Sequence, residues 1–183
     1  MNHRPLNPEY FELWITSWSE TYPTGHDAPL DELRGLPHFT IEQMEALVDF
    51  KYPPPLTGRR RVRHANIRNL LRDNTEQAVV DSTAAAFGEV DDARALKLVT
   101  RLHGVGMAIG STALTAHDPS RFTVYDDQAS KSLTAVGYLD RKSWIPYLIG
   151  CRDVARDTGH DLRTVDRALF MAKGRLTLPP SRG

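Results

Sequence analysis

The stretch Leu102-His103-Gly104-Val105-Gly106 separates two segments of helical periodicity, and it is the part of the chain that best predicts the fold. A helical pattern ends at Leu102, and a helix of small residues is expected to begin directly after Gly106. Both glycines permit the positive φ angles that a tight turn requires. The sequence therefore predicts two helices joined by a short hairpin at this point.

A hairpin of this kind has a chemical consequence. The first backbone N–H groups of the second helix have no partner within the helix, and they lie at the positive end of its dipole. Such a site binds anions and suits a DNA phosphate. The alternative is a glycine-tight connection between two packed helices with no ligand, and the stretch alone does not separate the two interpretations.

Helical periodicity extends over most of the remaining chain. Asn7 with Pro8, and Thr40 with Gln43, have the residue types of helix N-termini. Sustained strand-type alternation is missing. The apolar positions repeat with helical spacing in segments that begin at Phe11, Ile41, Val80, Leu96, Trp144 and Leu162. We expect an all-α fold of eight or nine short helices, in which one helix runs from Gln128 to Leu139.

The length of 183 residues fits one domain or two closely packed lobes. We expect a single two-lobed domain, with one lobe formed by residues 38–117, the other by residues 1–37 and 118–178, and a tail at 179–183. The longest apolar stretch, residues 144–151, is too short to cross a bilayer, and no apolar run follows the first residues. The sequence therefore predicts a cytoplasmic protein without a membrane partner, and we also expect a monomer.

The single cysteine, Cys151, excludes an internal disulfide, an all-cysteine zinc site and a four-cysteine iron–sulfur cluster. Its apolar neighbours predict a buried structural thiol rather than a nucleophile. The seven histidines are scattered without metal-ligand spacing. We expect neither a metal nor a cofactor.

The formal net charge is zero, with 23 bases and 23 acids, but the charges are segregated. Residues 1–50 hold two bases and nine acids, whereas residues 51–73 hold seven bases and one acid. Residues 128–183 hold ten bases and five acids, a second basic segment. Local charge, rather than the total, attracts a polyanion. A nucleic-acid partner is therefore compatible with neutrality.

The densest basic cluster lies in the first of these segments. Arginine binds phosphate bidentately, so the cluster favours DNA contacts. A solvated helix face with neighbouring ion pairs is the alternative, and codon bias offers another explanation because 18 of the 23 bases are arginine. The cluster comprises Arg59, Arg60, Arg61 and Arg63, continued by His64, Arg68 and Arg72.

The hairpin and the segment after it resemble the helix-hairpin-helix DNA glycosylase superfamily. Its pattern runs Leu-Pro-Gly-Val-Gly, then a helix, then an apolar segment that leads to an essential aspartate. Asp126 follows Gly106 by twenty positions, at the spacing the family uses. The match is specific over residues 92–135 and only architectural elsewhere. The resemblance implies that His103, Gly104, Val105 and Gly106 bind a DNA phosphate.

Three departures from the family pattern matter. His103 replaces the usual proline, which is a mild change. Ala108 occupies the position at which bifunctional members carry a Schiff-base lysine, so lysine-dependent strand cleavage is not expected. The missing cysteines exclude the branch that carries an iron–sulfur cluster.

The resemblance assigns catalysis to Asp126 and the turn to Asp127. Breaking an N-glycosidic bond develops positive charge on the deoxyribose, which a carboxylate stabilises while it orients or deprotonates the attacking water. An aspartate before a helix is also a common cap, so Asp127 is the second choice for the catalyst. A glycosylase must also flip its target base into a pocket. Candidates for that pocket are Tyr125, Lys51 and Trp14, although core packing explains the tryptophan better and Lys51 could be a solvated helix end.

The function that the resemblance implies is a monofunctional DNA glycosylase that leaves an abasic site in double-stranded DNA. The residues do not indicate which base is removed. The resemblance alone implies the possible roles, which are base-excision repair and defence against phages with modified, for example glucosylated, cytosines. A non-catalytic helix-hairpin-helix DNA-binding module is the alternative. A helical interaction protein without a DNA role is the third interpretation.

Overall fold

A computed structural model gives the structure of the chain, and it describes residues 6–22, 24–53, 55, 57–139 and 143–177. The predicted tail at 179–183 lies outside the described residues. The described part contains ten α-helices and no strand, which confirms the all-α prediction. The helices are α1 (Pro8–Thr21), α2 (Ala28–Asp31), α3 (Ile41–Lys51), α4 (Gly58–Arg72), α5 (Glu76–Phe87), α6 (Asp92–Val99), α7 (Met107–His117), α8 (Asp127–Ala135), α9 (Trp144–Thr158) and α10 (Leu162–Ala172).

Two expectations about the helices were wrong. Ten helices are present in the described residues instead of eight or nine, because the four-residue α2 forms in a stretch too short to show periodicity. The helix predicted from Gln128 to Leu139 ends at Ala135. It ends there because Gly137 adopts a φ of 82°, outside the helical region.

The two helix starts predicted from residue type are confirmed. The Asn7 side chain accepts hydrogen bonds from the backbone N–H groups of Glu9 and Tyr10, and Pro8 occupies the first helical position of α1. Thr40 and Gln43 form a reciprocal capping box at the start of α3. Caps of this kind are local and therefore readable from the sequence.

The chain divides into two compact units. The central unit, Asp27–Pro119, contains α2 to α7, with α3 packing on α4 and α7, and α6 packing on α5 and α7. Its helices α6 and α7 approach closely at Gly110, where a β-carbon would lie 2.8 Å from a methyl group of Val99. The core of the central unit contains the fully buried side chains Phe39, Met44, Leu47, Leu71, Ile109 and Leu114.

The terminal unit combines Met1–His26 with Ser120–Gly183, and in it α10 packs on α1, α8 and α9. Its largest fully buried side chains are Phe11, Phe122, Leu133, Trp144, Tyr147 and Leu148. The boundary near residue 27 differs from the expected one at residue 37. It differs because α2 packs on α7 and α3, and because the N–H of Gly35 donates to the carbonyl of His117 at 2.9 Å.

Candidate functional site

The hairpin between α6 and α7 lies directly against α4. Gly104 has a φ of 78°, which disfavours any residue with a side chain. A β-carbon at Gly104 would also lie 2.6 Å from the carbonyl oxygen of Ile67 and 2.9 Å from the backbone nitrogen of Leu71. Glycine is therefore required at this position for both its conformation and its close approach to α4.

A side chain just after the end of α4 holds the hairpin in place. The Asn74 Oδ1 atom accepts a hydrogen bond from the N–H of His103 at 3.0 Å, and Nδ2 donates to the His103 carbonyl at 3.1 Å. The same Nδ2 group donates to the carbonyl of Leu71 at 2.8 Å. Asn74 thus ties the hairpin backbone to the last turn of α4.

Gly106 is the N-cap of α7, and it differs from the expectation of positive φ at both glycines. Its φ of −88° and ψ of −176° are extended, and a β-carbon there would meet nothing within 4 Å. Only Gly104 in this turn needs the left-handed region. The glycine at 106 instead leaves open space in front of α7, whose first turn has neither a side-chain cap nor an acidic residue.

The other hairpin residues divide between surface and core. His103 is exposed, whereas Val105 is only 5% exposed and belongs to the core of the central unit. Of the four predicted phosphate-binding residues, Val105 can therefore offer a ligand its backbone but not its side chain. The structure brings these residues together in one turn at the start of α7.

The first two turns of α4 carry the arginine cluster. Arg59, Arg60, Arg61 and Arg63 are all exposed. Within the described part of the chain, none of the four is ion-paired with a carboxylate. The N-cap Thr57 makes no side-chain cap bond, and no acid stands in the first turn. Positive side chains at the positive end of a helix dipole are unfavourable for folding alone, so this end of α4 is suited to an anion.

The second half of α4 has a different electrostatic environment. The carboxylate of Glu45 on α3 pairs with Arg68 and with Arg72, whose Nε lies 2.5 Å from Oε1. Asp49 pairs with Arg68 at 2.6 Å and with Nε2 of His64 at 2.6 Å. The cluster read from the sequence as one run is therefore split into an unpaired half and a neutralised half.

Asp126 stands at the end of the apolar segment and is the N-cap of α8. Its Oδ1 accepts a hydrogen bond from the N–H of Gln128 at 2.7 Å, and its carbonyl accepts from both the N–H and the hydroxyl of Ser130 at 2.9 Å. Asp127 is the first residue of the helix and is exposed. The expectation that Asp127 serves the turn was therefore wrong, because Asp126 itself caps the helix. The catalytic role of Asp126 stays a prediction.

The backbone that leads to Asp126 is anchored in the core of the terminal unit. Phe122 and Val124 are buried, and Phe122 stacks on Trp144 with ring centroids 5.9 Å apart. The indole N–H of Trp144 donates to the carbonyl of Thr123 at 3.4 Å. These contacts fix the chain just before the aspartate and leave Asp126 itself partly exposed.

Tyr125, the first pocket candidate, is half-buried and stands edge-on to Tyr147 with ring centroids 5.3 Å apart. The hydroxyl of Tyr147 donates to Oδ1 of Asp166 at 2.9 Å. Complete burial, followed by the negative charge of Asp166, raises the pKa of Tyr147 well above its ordinary value. Tyr147 therefore stays protonated and gives Tyr125 a rigid support.

The other two pocket candidates lie in different surroundings. Trp14 is 2% exposed, with the guanidinium of Arg175 5.5 Å from its ring centroid. This burial favours the core-packing alternative for Trp14. Lys51 is the last residue of α3 and is half-buried in the central unit, whereas Tyr125 and Trp14 belong to the terminal unit.

Neither Ala108 nor Cys151 provides a nucleophile. Ala108 lies in the first turn of α7, where its carbonyl accepts hydrogen bonds from Ser111 and Thr112 at 3.0 and 2.7 Å. Cys151 is fully buried, and burial raises the pKa of its thiol well above its ordinary value. The thiol is therefore protonated and structural.

Two other kinds of feature are absent from the described ranges. No group of three or more histidine, cysteine or acidic side chains is placed to hold a metal ion among these residues. No helix in this part of the chain is long and apolar enough to cross a membrane.

Sequence analysis allowed for ion pairs along the arginine run, but it identified neither the acids that form them nor the contact of Asn74 with the hairpin. The α3 acids Glu45 and Asp49 are four residues apart, as are the bases His64, Arg68 and Arg72 on α4, and this complementary spacing could have indicated the ion pairs. No local signal marks the contact of Asn74 with His103.

No protein-family model matches the chain, and neither a curated protein nor a solved structure is similar enough to count as a relative.

Proposed function

We propose that the chain is a monofunctional DNA glycosylase built on a helix-hairpin-helix motif, with its two units as the two lobes of one domain. The observation that carries this proposal is the pairing of two anion-binding features in the central unit. The uncapped N-terminus of α7, held on α4 through Gly104, provides one. The unpaired arginines at the start of the same α4 provide the other.

Asp126 is the proposed catalytic residue. In the hydrolysis, water attacks C1′ of the deoxyribose, the bond to the base nitrogen breaks, and a water proton ends on the departing base. The Asp126 carboxylate stabilises the positive charge that develops on the sugar and orients or deprotonates the water. Its hydrogen bond from the Gln128 N–H fixes the orientation of the carboxylate.

We propose a monofunctional enzyme because Ala108 stands where a Schiff-base lysine would be needed. A methyl side chain in the first turn of α7 cannot form a covalent link to the sugar. The product is then an intact abasic site, without the strand break that lysine-dependent elimination gives.

The proposed target is a modified or damaged base flipped out of double-stranded DNA, in base-excision repair or in defence against phages with modified DNA. The test is digestion of normal, damaged and phage-modified duplexes, with the released bases identified by mass spectrometry. Release of one base class, together with alkali-labile sites in the same DNA, supports the proposal. If no duplex in a panel spanning these classes yields a free base while the protein binds them all, the enzymatic assignment is wrong.

A second candidate function is a non-catalytic DNA-binding module. The observation that favours it is the structural role of Asp126, whose Oδ1 atom caps α8 and would be useful there without any chemistry. Such a module shifts DNA in a gel and shows salt-dependent affinity, but it produces no alkali-labile sites.

A further inference from the structure

One face of α4 carries a groove whose apolar floor is not used by the proposed phosphate contacts. The groove has a volume of about 640 Å³. Two of its side chains are unusually exposed for their type, Val62 at 60% and Leu70 at 46%. The lining residues are Gly58, Arg59, Val62, Arg63, Asn66, Ile67 and Leu70.

The charged side chains that line this groove in the described part of the chain are positive. Among the described residues that line it, the charged side chains are Arg59 and Arg63. The acids of α3 contact the other side of the helix, where Glu45 and Asp49 hold Arg68. At about 100° of rotation per residue, Arg68 lies roughly 180° around the helix from Arg59. The groove side therefore keeps its positive charge.

The groove also ends at the hairpin. Gly104 packs on the backbone of Ile67 and Leu71, and a β-carbon there would lie 3.1 Å from Cβ of Leu70. Helix α4 rises about 1.5 Å per residue, so roughly 18 Å separates Gly58 from Leu70. An apolar floor thus runs between two phosphate-binding features, the arginines at one end and the N-terminus of α7 at the other.

We propose that this groove binds an unstacked nucleobase of the DNA strand whose phosphates contact Arg59, Arg63 and the hairpin. The inference rests on the proposed DNA-binding function and deepens it by adding a base contact in the central unit. Within a duplex the apolar faces of the bases are stacked on one another, so only a base that has left the stack can cover Val62 and Leu70. The Asn66 carboxamide, which both donates and accepts hydrogen bonds, is suited to the polar edge of that base.

Charge selects a nucleic acid over the other occupants of an apolar groove. An apolar peptide would bury Val62 and Leu70 equally well, but it would bring no negative charge to Arg59 and Arg63 at the rim. A DNA strand supplies both parts of the match, since its phosphates neutralise the guanidinium groups and its base covers the floor. An exposed apolar patch marks an interaction site, and basic side chains beside it follow the backbone of a single strand.

The experiment uses the full chain and a twelve-nucleotide strand, alone and in a duplex, that carries 2-aminopurine at its centre. Binding is expected to raise the 2-aminopurine fluorescence and to protect the base from acrylamide quenching. The double change Val62→Ser and Leu70→Ser is expected to remove this protection and to weaken binding about fivefold, without changing the salt dependence. Val90→Ser, at an 89% exposed valine of the same unit, is the matched control.

Three results would overturn the inference. One is full acrylamide protection in the doubly substituted chain, even if bases are still released and the glycosylase assignment stands. Another is unchanged DNA behaviour together with loss of self-association in sedimentation, which would make the groove a contact between copies. A third is absence of any salt-sensitive DNA binding, which would also remove the proposed function.

Val62→Ser alone, at the more exposed position, replaces the double variant if circular dichroism shows that the latter is unfolded.

Base release and base protection are measured separately, so the two proposals can fail separately. The chain could release no base and still protect 2-aminopurine through Val62 and Leu70. That result would support base binding in the groove and contradict the glycosylase assignment.

Discussion

The carboxamide of Asn74 holds the backbone of His103 from both sides, accepting from its N–H at 3.0 Å and donating to its carbonyl at 3.1 Å. These two bonds join positions 29 residues apart in sequence. They connect the end of the arginine-bearing helix to the turn that precedes α7. The geometry of the candidate phosphate site therefore depends on a side chain that lies outside it.

Replacing Asn74 with alanine should loosen the hairpin while the helices persist. The hydrogen bonds removed are neutral and partly solvated, so the free energy of unfolding should fall by about 1 to 2 kcal/mol. DNA affinity should fall more than stability predicts, because the N-terminus of α7 is no longer held in place. Chemical denaturation and fluorescence anisotropy measure the two effects. Asn69→Ala, at an exposed position of α4, is the control and should change neither.

The two glycines of the hairpin should respond differently to alanine. Gly104→Ala combines a positive φ with a β-carbon 2.6 Å from the Ile67 carbonyl oxygen, and it should lower the free energy of unfolding by about 2 to 4 kcal/mol. Gly106→Ala adds a methyl group in open space at an extended position, so it should cost less than about 1 kcal/mol. Thermal unfolding of the two variants side by side is the measurement. Equal destabilisation would contradict the geometry of this turn.

The sequence predicted what is local and missed what connects distant segments. The periodic helices and the caps at Asn7 and Thr40 follow from neighbouring residues and were predicted correctly. Helix α2 was missed because four residues are too few for a periodic signal.

Sequence reasoning also treated the arginines as one run. Their division into two halves depends on Glu45 and Asp49, which reach α4 only through the packing of α3. The capping role of Asp126 depends on which of two adjacent aspartates turns toward the Gln128 N–H, and that is a matter of backbone angles rather than residue type.

The contact between α3 and α4 should weaken in acid through Asp49. Burial alone would raise the pKa of Asp49, but hydrogen bonds and positive charge from Arg68 and His64 outweigh it and hold the pKa below its ordinary value of 3.8. A folded-state pKa below the unfolded value means that ionised Asp49 stabilises the fold above pH 3.8 and loses this effect as the pH falls further.

Asp49→Asn should therefore destabilise the protein at pH 5 and have little effect near pH 2. Asp49 is nearly half exposed, so solvent screening limits the difference to less than about 1 kcal/mol. Denaturation curves at a series of pH values give the difference directly. If the difference in free energy of unfolding between the two proteins persists unchanged to pH 2, the ion pairs of Asp49 are not its cause.

The salt dependence of DNA binding should locate the arginines that contact phosphate. Replacing Arg59, Arg60 and Arg61 with alanine should make the slope of log affinity against log salt less steep. The slope should change by about 0.9 for each phosphate that the variant no longer neutralises, and so by up to about 2.7. Arg72→Ala is the matched control on the same helix, because Glu45 already neutralises that guanidinium. An unchanged slope in the triple variant would place these arginines outside the interface.

Asp126→Asn separates the chemical role of the aspartate from its structural one. Asparagine caps a helix as well as aspartate does, so the variant should keep α8 and unfold within about 0.5 kcal/mol of the unaltered chain. The negative charge is removed, so base release should fall by at least about a hundredfold while DNA affinity is retained.

Asp127→Asn removes an equal charge one residue further on, where the side chain is exposed and makes no cap, and it should release base at nearly the normal rate. Base release by quantitative mass spectrometry and DNA affinity by anisotropy are measured on the same preparations. If Asp127→Asn abolishes release and Asp126→Asn does not, the catalytic carboxylate is Asp127 and Asp126 serves only as the cap.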